Sequence, residues 1–255
     1  MKQIKKERLY LSTIAPRAAE LAEEYGVGLE IAEFCTAYNM DEYFAETDAA
    51  VQKALAHTRR RLLHAPFNEL FPCAIDPKAR ELAASRYRQA LALTGRYSGE
   101  KTVIHTGYAP NFYYDCWFEE QSILFWRAFV EKLPENTVIC LENVLETQPE
   151  PLLHILEGVR DSRLRVCLDV GHAHTYSHRP VEEWLALLAP YVDHFHIHNN
   201  SREYDAHGHL YEGTMDMAGL LQSALERCPQ ATFTLEIPEP ESDLQWLLAQ
   251  GLLTR

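Results

Sequence analysis

The chain has 255 residues, 47% of them hydrophobic, enough to bury one large core and compatible with one or two domains. With 24 basic against 37 acidic residues the formal charge is −13, so the summed field repels polyanions, and no local basic patch accompanies the candidate site. The charged residues 1–7 lack the apolar run and cleavage site of a secretory signal, and no apolar stretch is long enough to span a bilayer. Six cysteines, Cys35, Cys73, Cys116, Cys140, Cys167 and Cys228, are scattered without CxxC pairs, which predicts free thiols and a cytoplasmic protein.

In chain order, residues 9–14 predict a short apolar strand, and Pro16 with the alanine-rich run behind it predicts a helix. Residues 28–34 read as a second strand, 41–57 carry helical spacing, and 61–66 form a third strand stopped by Pro66. The Arg59-Arg60-Arg61 run precedes that strand, at the end of a parallel barrel away from chemistry. Asp76-Pro77 opens a helix reaching about Tyr97, followed by a strand at 101–105. An aromatic loop at 106–117 contains Tyr108, Phe112, Tyr113, Tyr114 and Trp117, and a helix follows at 125–133. The alternation continues with a strand at 137–143, a helix at 152–159, a strand at 164–169 and a helix at 180–188. After the histidine-rich strand 193–200 come a helix at 217–227, a strand at 232–237 and a closing helix at 243–248.

Strand and helix thus alternate about eight times, which predicts an α/β chain folded as a single (β/α)8 TIM barrel in one domain over residues 1–255. An open doubly wound sheet is the competing architecture. Neither a GxGxxG nor a P-loop glycine pattern follows the first strand, which argues against dinucleotide and nucleoside-triphosphate chemistry.

Side chains on a strand alternate between faces, so His194, His196 and His198 share one face and Phe195 and Ile197 the other. The polar residues at the C-terminal strand ends, which converge on one mouth in a parallel barrel, are His64, His105, Glu142, Asp169, His196 and Glu236. Loops add His172 and the Asp205-x-His207 pair. Taken singly, Glu142 reads as half of a salt bridge, His64 as a core histidine and Asp169 as the N-cap of the next helix. Taken together, the acids need cations that the strand ends do not contain, and a divalent metal supplies the missing charge. Imidazole and carboxylate ligands without thiolate suit Zn2+ or Mn2+.

The motifs Leu141-Glu142-Asn143, Cys167-Leu168-Asp169-Val170-Gly171-His172-Ala173 and His196-Ile197-His198-Asn199-Asn200 resemble those of the xylose isomerase-like TIM-barrel superfamily, and the match runs from Leu9 to Glu236. That superfamily holds sugar and sugar-phosphate isomerases and epimerases together with endonuclease IV-type AP endonucleases. The resemblance implies one metal held by Glu142, Asp169, His196 and Glu236, as in the isomerase branch. It further implies a second metal on His64 and His105 bridged by Glu142, and a third on His172, Asp205 and His207, for one to three ions in all. Glu142 and Glu236 are the implied catalytic acids and bases. Asn143, His198 and Arg202, with Tyr108, Tyr113 and Trp117 of the aromatic loop, are expected to contact substrate; packing against the barrel rim is the alternative role for the aromatics.

Two departures from the family pattern bear on function. The strand-to-helix loops contain few lysines or arginines, and no glutamate follows His196 closely, where the sequence reads His198-Asn199-Asn200. The favoured expectation is phosphoester hydrolysis of a small sugar-containing or phosphorylated molecule at a two- or three-metal site. Sugar or sugar-phosphate isomerisation with one metal is the alternative, followed by AP endonuclease action on DNA and by a metal-binding barrel without catalysis. Neither nucleic acid nor membrane is an expected partner.

Overall fold

Eight strands pair in parallel and in sequence order, and β8 closes back on β1 to form a barrel. The strands are β1 Leu9–Ser12, β2 Gly28–Ile31, β3 Arg61–His64, β4 Thr102–His105, β5 Ile139–Glu142, β6 Leu164–Asp169, β7 Val192–Ile197 and β8 Thr232–Leu235. The helices are α1 Ala18–Tyr25, α2 Ala37–Asp41, α3 Phe44–Ala54, α4 Pro77–Arg96, α5 Asp115–Val130, α6 Glu150–Val159, α7 Val170–Tyr176, α8 Val181–Leu188, α9 Met217–Arg227 and α10 Glu241–Ala249. This computed structural model describes residues 2 to 254; Met1 and Arg255, the ends of the span 1–255, lie outside the described residues. No helix among them is long and apolar enough to cross a membrane.

Both strand faces are buried, one under the helices and one in the lumen, and alternation sorts the residues between them. Leu29, Ile31, Phe195 and Ile197 join the large apolar cluster of the helical layer. The lumen receives Glu30, His194, His196 and Thr234 over a small apolar floor of Val103, Cys140 and Cys167. Gly28 makes room for this filling, because a Cβ there would sit 2.3 Å from the ring of Tyr10. At the N-terminal end, Arg60 donates to the Tyr10 hydroxyl and pairs with Glu100, and Lys101 donates to Asp193 and Thr232. The arginine run therefore lies at the pole opposite the strand C-termini, as its position in the sequence predicts.

Element boundaries differ from expectation where no local signal marks them. Helix α5 begins at Asp115, well before residue 125, because its N-cap, Tyr114, offers no capping side chain to read. Trp117 therefore belongs to that helix and not to the aromatic loop. The helical run expected at 41–57 is α3, shorter at both ends, and the short α2 before it is not among the expected elements. Strand β2 ends at Ile31, short of residue 34, and β7 ends at Ile197, so His198 lies beyond the strand. Helix α7 is an addition to the expected elements: the Asp169 carboxylate accepts from the backbone N–H of His172 and opens it, so His172 stands on a helix and not on a loop.

Candidate metal centre

Strand register sets the candidate ligand residues side by side, His105 opposite Glu142 and Asp169 opposite His196. All nine residues expected from the sequence come together at the barrel mouth in three groups, two of them sharing Glu142, within each of which the potential ligand atoms lie within 4.8 Å of one another. One group is His64, His105 and Glu142; the next is Glu142, Asp169, His196 and Glu236; the third is His172, Asp205 and His207, joined by His198. Glu142 divides its two oxygens between the first two groups. Its Oε2 lies 3.1 Å from His64 Nε2 and 3.4 Å from His105 Nε2, while Oε1 lies 3.2 Å from His196 Nδ1. In the third group, Asp205 Oδ2 lies 3.1 Å from His172 Nε2 and 3.0 Å from His207 Nε2.

Buried polar atoms are nearly always hydrogen-bonded, yet five here have no partner: Glu142 Oε1, His196 Nδ1, Glu236 Oε2, His198 Nδ1 and Asp205 Oδ1. They face one another, with His196 Nδ1 3.3 Å from Glu236 Oε2 and His198 Nδ1 3.8 Å from Asp205 Oδ1. The outward ring nitrogens are instead anchored. His64 Nδ1 lies 2.9 Å from the Ala65 carbonyl, His172 Nδ1 3.0 Å from that of Asn143 and His207 Nδ1 2.9 Å from that of Glu236. An imidazole that donates through one nitrogen presents a lone pair on the other, which is the arrangement metal-ligating histidines adopt. The donor set therefore fits divalent metal.

His196 is anchored by a residue that strand-end reasoning misses. Its Nε2 lies 2.9 Å from Oε1 of Glu30, a fully buried carboxylate in the middle of β2. Glu30 also accepts from Thr234 Oγ1 and lies 3.2 Å from His194 Nε2. The signal is a lone acid in the apolar run Gly28-Leu29-Glu30-Ile31, a position a charged side chain occupies only with partners.

Burial by itself pushes Glu30 and Glu142 upward, but the imidazoles beside them outweigh it and hold both well below the usual carboxylate range. The same contacts, with burial opposing, hold His172 and His196 well above the ordinary imidazole value. Burial likewise opposes His207, yet the hydrogen bond to Asp205 and the charge of Glu236 raise it to about 9. His194 moves the other way, pushed by burial down to about 4, so it stays neutral beneath the cluster.

The residues expected to contact substrate are mostly occupied elsewhere. Asn143 donates to the Asp169 carbonyl and accepts from the Asp169 N–H, both at 2.9 Å, so it holds the backbone of a candidate ligand. His198 is fully buried and belongs to the third group. Tyr108 donates to Asp115 and packs edge-on against Phe118, Tyr113 packs on the apolar core, and Trp117 Nε1 donates to the Cys73 carbonyl. Those three aromatics build the rim. Arg202 is exposed and donates to the Ser177 carbonyl. An aromatic that does meet the cluster is Phe67, stacked on His105 at 4.4 Å between centroids.

The loop carrying Asp205 and His207 holds His207 at φ 45°, a left-handed conformation that costs an imidazole-bearing residue about 1 kcal/mol or more. Paired backbone hydrogen bonds between Asn199 and Gly208 and a bond from Leu210 N to the buried Asp243 carboxylate hold that turn. A separate groove of about 660 Å³ between the β1–α1 and β8–α10 loops, lined by Pro16, Arg17 and Pro238, contains none of the ligand residues.

The sequence profile of the family described as Xylose isomerase-like TIM barrel matches residues 15–251. Among solved structures, the TTHB071 protein from Thermus thermophilus, soaked with ZnCl2, is 27% identical with a TM-score of 0.73, covering 96% of this chain and 97% of that one. A D-tagatose 3-epimerase-like protein is 20% identical with a TM-score of 0.76 over 95% and 96% of the two chains. Endonuclease IV from Thermus thermophilus is also 20% identical, with a TM-score of 0.62 over 95% and 96%; these two likenesses speak to fold alone. Curated relatives are uncharacterized proteins of Methanocaldococcus jannaschii, one of them 28% identical over 176 residues, and the chain spans about three fifths of their length.

Proposed function

We propose that this chain, which belongs to the xylose isomerase-like TIM-barrel family, is a multi-metal hydrolase that cleaves a phosphoester in a small sugar-containing molecule. The observation that carries this reading is the division of Glu142 between two imidazole groups, since a carboxylate with one oxygen toward each is suited to bridge two ions. His64 and His105 would hold the first ion with Glu142, Asp169, His196 and Glu236 the second, and the Asp205 loop a third. Bound divalent ions, Zn2+ or Mn2+, supply Lewis acidity that makes water nucleophilic at neutral pH and offsets charge developing on phosphoryl oxygens.

The chain's own residues set the rest. Glu30 fixes the ring of His196 by its hydrogen bond, and Asn143 fixes Asp169. Glu236 keeps 13% of its side chain open to the mouth against 1% for Glu142, so it is the better situated of the two to take the proton from attacking water. Charge selects the substrate. With Glu30, five carboxylates surround the centre, so three divalent ions leave it slightly positive and receptive to a phosphate, whereas one ion leaves it strongly negative.

The loops select size. Among the described residues, the only cations in the segments linking barrel strands to the helices at the mouth are Arg17, Arg179 and Arg202. Arg17 pairs with Glu20 and Glu241, Arg179 with Glu150, and Arg202 is hydrogen-bonded to Ser177. Such a rim gives a nucleic acid backbone little to hold. Six free cysteines suit the reducing cytoplasm.

A second reading, sugar or sugar-phosphate epimerisation, is favoured by one specific feature: Glu142 and Glu236 both approach His196 Nδ1, at 3.2 and 3.3 Å, and can exchange protons with a substrate held between them. It needs only the second ion. The distinguishing experiment is a panel of phosphodiesters, phosphomonoesters and ketose or aldose phosphates, run with metal-loaded protein and with His64→Ala. Phosphoester cleavage lost in His64→Ala is the expected result. Interconversion of two sugars that survives His64→Ala, with no ester cleaved, would establish the epimerase reading instead.

A further inference from the structure

We infer that His198 is a fourth protein ligand of the third metal position, which is thereby closed by His172, His198, Asp205 and His207. This deepens the proposed function and rests on its premise that the cluster binds metal. The ring of His198 is fully buried, and its Nδ1 has no hydrogen-bond partner. That nitrogen faces Asp205 Oδ1 at 3.8 Å, itself unpartnered. Two unpaired buried acceptors facing each other are unfavourable unless a cation lies between them.

The opposite edge of the ring fixes the tautomer. His198 Nε2 lies 3.2 Å from the Asp169 carboxylate, so the proton resides on Nε2 and the lone pair on Nδ1. His172 and His207 are built alike, each anchored through Nδ1 to a backbone carbonyl with Nε2 turned toward Asp205. The rings of His198 and His207 stack at 4.1 Å with an interplanar angle of 13°, which brings their inward edges together. The chain also reserves space for this imidazole. A Cβ on Gly171 would come 1.9 Å from His198 Cε1, so only glycine at that place in α7 admits the ring.

Four protein ligands that belong to one ion alone complete a closed site of the structural kind, whereas a catalytic zinc keeps a position open, and the second position shares its Glu142 with the first. The third ion then ties the Asp205 loop to α7 and β7, and substrate chemistry belongs to the two positions that share Glu142. Because Asp169 serves the second group and anchors His198, the third position is coupled to the second through one carboxylate.

The test compares zinc binding to the full chain, to His198→Ala and to Gly171→Ala by elemental analysis and competitive chelator titration, with circular dichroism as the folding control. Wild type should bind three ions. Both variants should bind two tightly, with the third weakened at least ~100-fold, the upper end of what loss of a supporting group costs. In a zinc-soaked wild-type crystal, anomalous density should lie about 2.0–2.1 Å from His198 Nδ1, a readout that needs no variant. Three equally tight ions in a folded His198→Ala, or a third zinc completed by water with His198 Nδ1 out of reach, would overturn the assignment. Wild type that binds only two ions would overturn it while leaving the bridged pair standing, and wild type that binds none would remove the premise itself.

Discussion

The two poles of the barrel handle charge in opposite ways. At the N-terminal pole each buried or half-buried acid meets a cation from the chain: Lys101 donates to Asp193 at 2.5 Å and Arg60 pairs with Glu100. At the mouth, Glu142, Asp169, Asp205 and Glu236 meet imidazoles and, for Asp169, the His172 backbone N–H, but no lysine or arginine among the described residues, and five polar atoms remain without partners. The lumen connects the two, from Lys101 through Thr232, His194 and Glu30 to His196. A chain able to pair its charges at one end leaves them unpaired at the other, which is what the proposed metal centre accounts for.

The largest effect that breaks this contrast belongs to Glu142, the proposed bridge between two ions. Glu142→Gln should lower phosphoesterase activity by ~10³-fold, as loss of a key charge stabiliser does, and remove at least one metal equivalent, which turnover and elemental analysis will read together. Glu142→Gln that keeps its full metal content would show that the carboxylate bridges nothing.

Next comes Glu30, which touches no substrate. Glu30→Gln should weaken the second ion ~10- to 100-fold while the fold persists. Glu30→Ala, which leaves His194 and His196 without their shared partner, should in addition destabilise the protein by about 3 kcal/mol in denaturant titration. A Glu30→Gln protein with unchanged metal affinity would reduce Glu30 to a packing role.

A smaller effect is readable in pH. His207 is raised to about 9 in the folded chain, against about 6.5 when unfolded. A raised folded value means that the folded state holds the proton longer, so the contribution is complete below about 6.5 and is lost as pH rises to about 9. Chelator-treated protein should therefore lose thermal stability across that window. Zinc affinity should change in the opposite sense, strengthening as the imidazoles deprotonate. His207→Gln should reduce the first dependence, leaving the part that the raised His172 and His196 contribute, and a midpoint flat from about pH 6.5 to about 9 in wild type would contradict it.

The smallest effect concerns DNA. Abasic duplex should bind weakly and with a shallow salt dependence, because the mouth offers few free cations. Steep salt-dependent binding with incision would replace the small-molecule reading.

What is legible in the sequence follows the same division. Candidate ligands at strand ends are readable because the parallel barrel sends every C-terminal end to one mouth, so a histidine or acid closing an apolar run announces its position. Glu30 is hidden because it sits within its strand, where alternation says only that it faces inward, not that two histidines from β7 wait there. His198 reads as a substrate contact because nothing local shows that β7 ends at Ile197 and that Gly171 opens a space for the ring. The start of α5 is invisible for want of a capping side chain, which places Trp117 in a binding loop when it in fact lies on the helix and donates to the Cys73 carbonyl.

The central claim is that the unpaired atoms at the mouth await more than one cation, and metal content per chain after gentle purification tests it most directly. Elemental analysis should give more than one equivalent of Zn2+, Mn2+ or a similar ion, rising toward three on addition of zinc. One equivalent or less, unchanged by added metal, would contradict the account and reduce the site to the single group of Glu142, Asp169, His196 and Glu236.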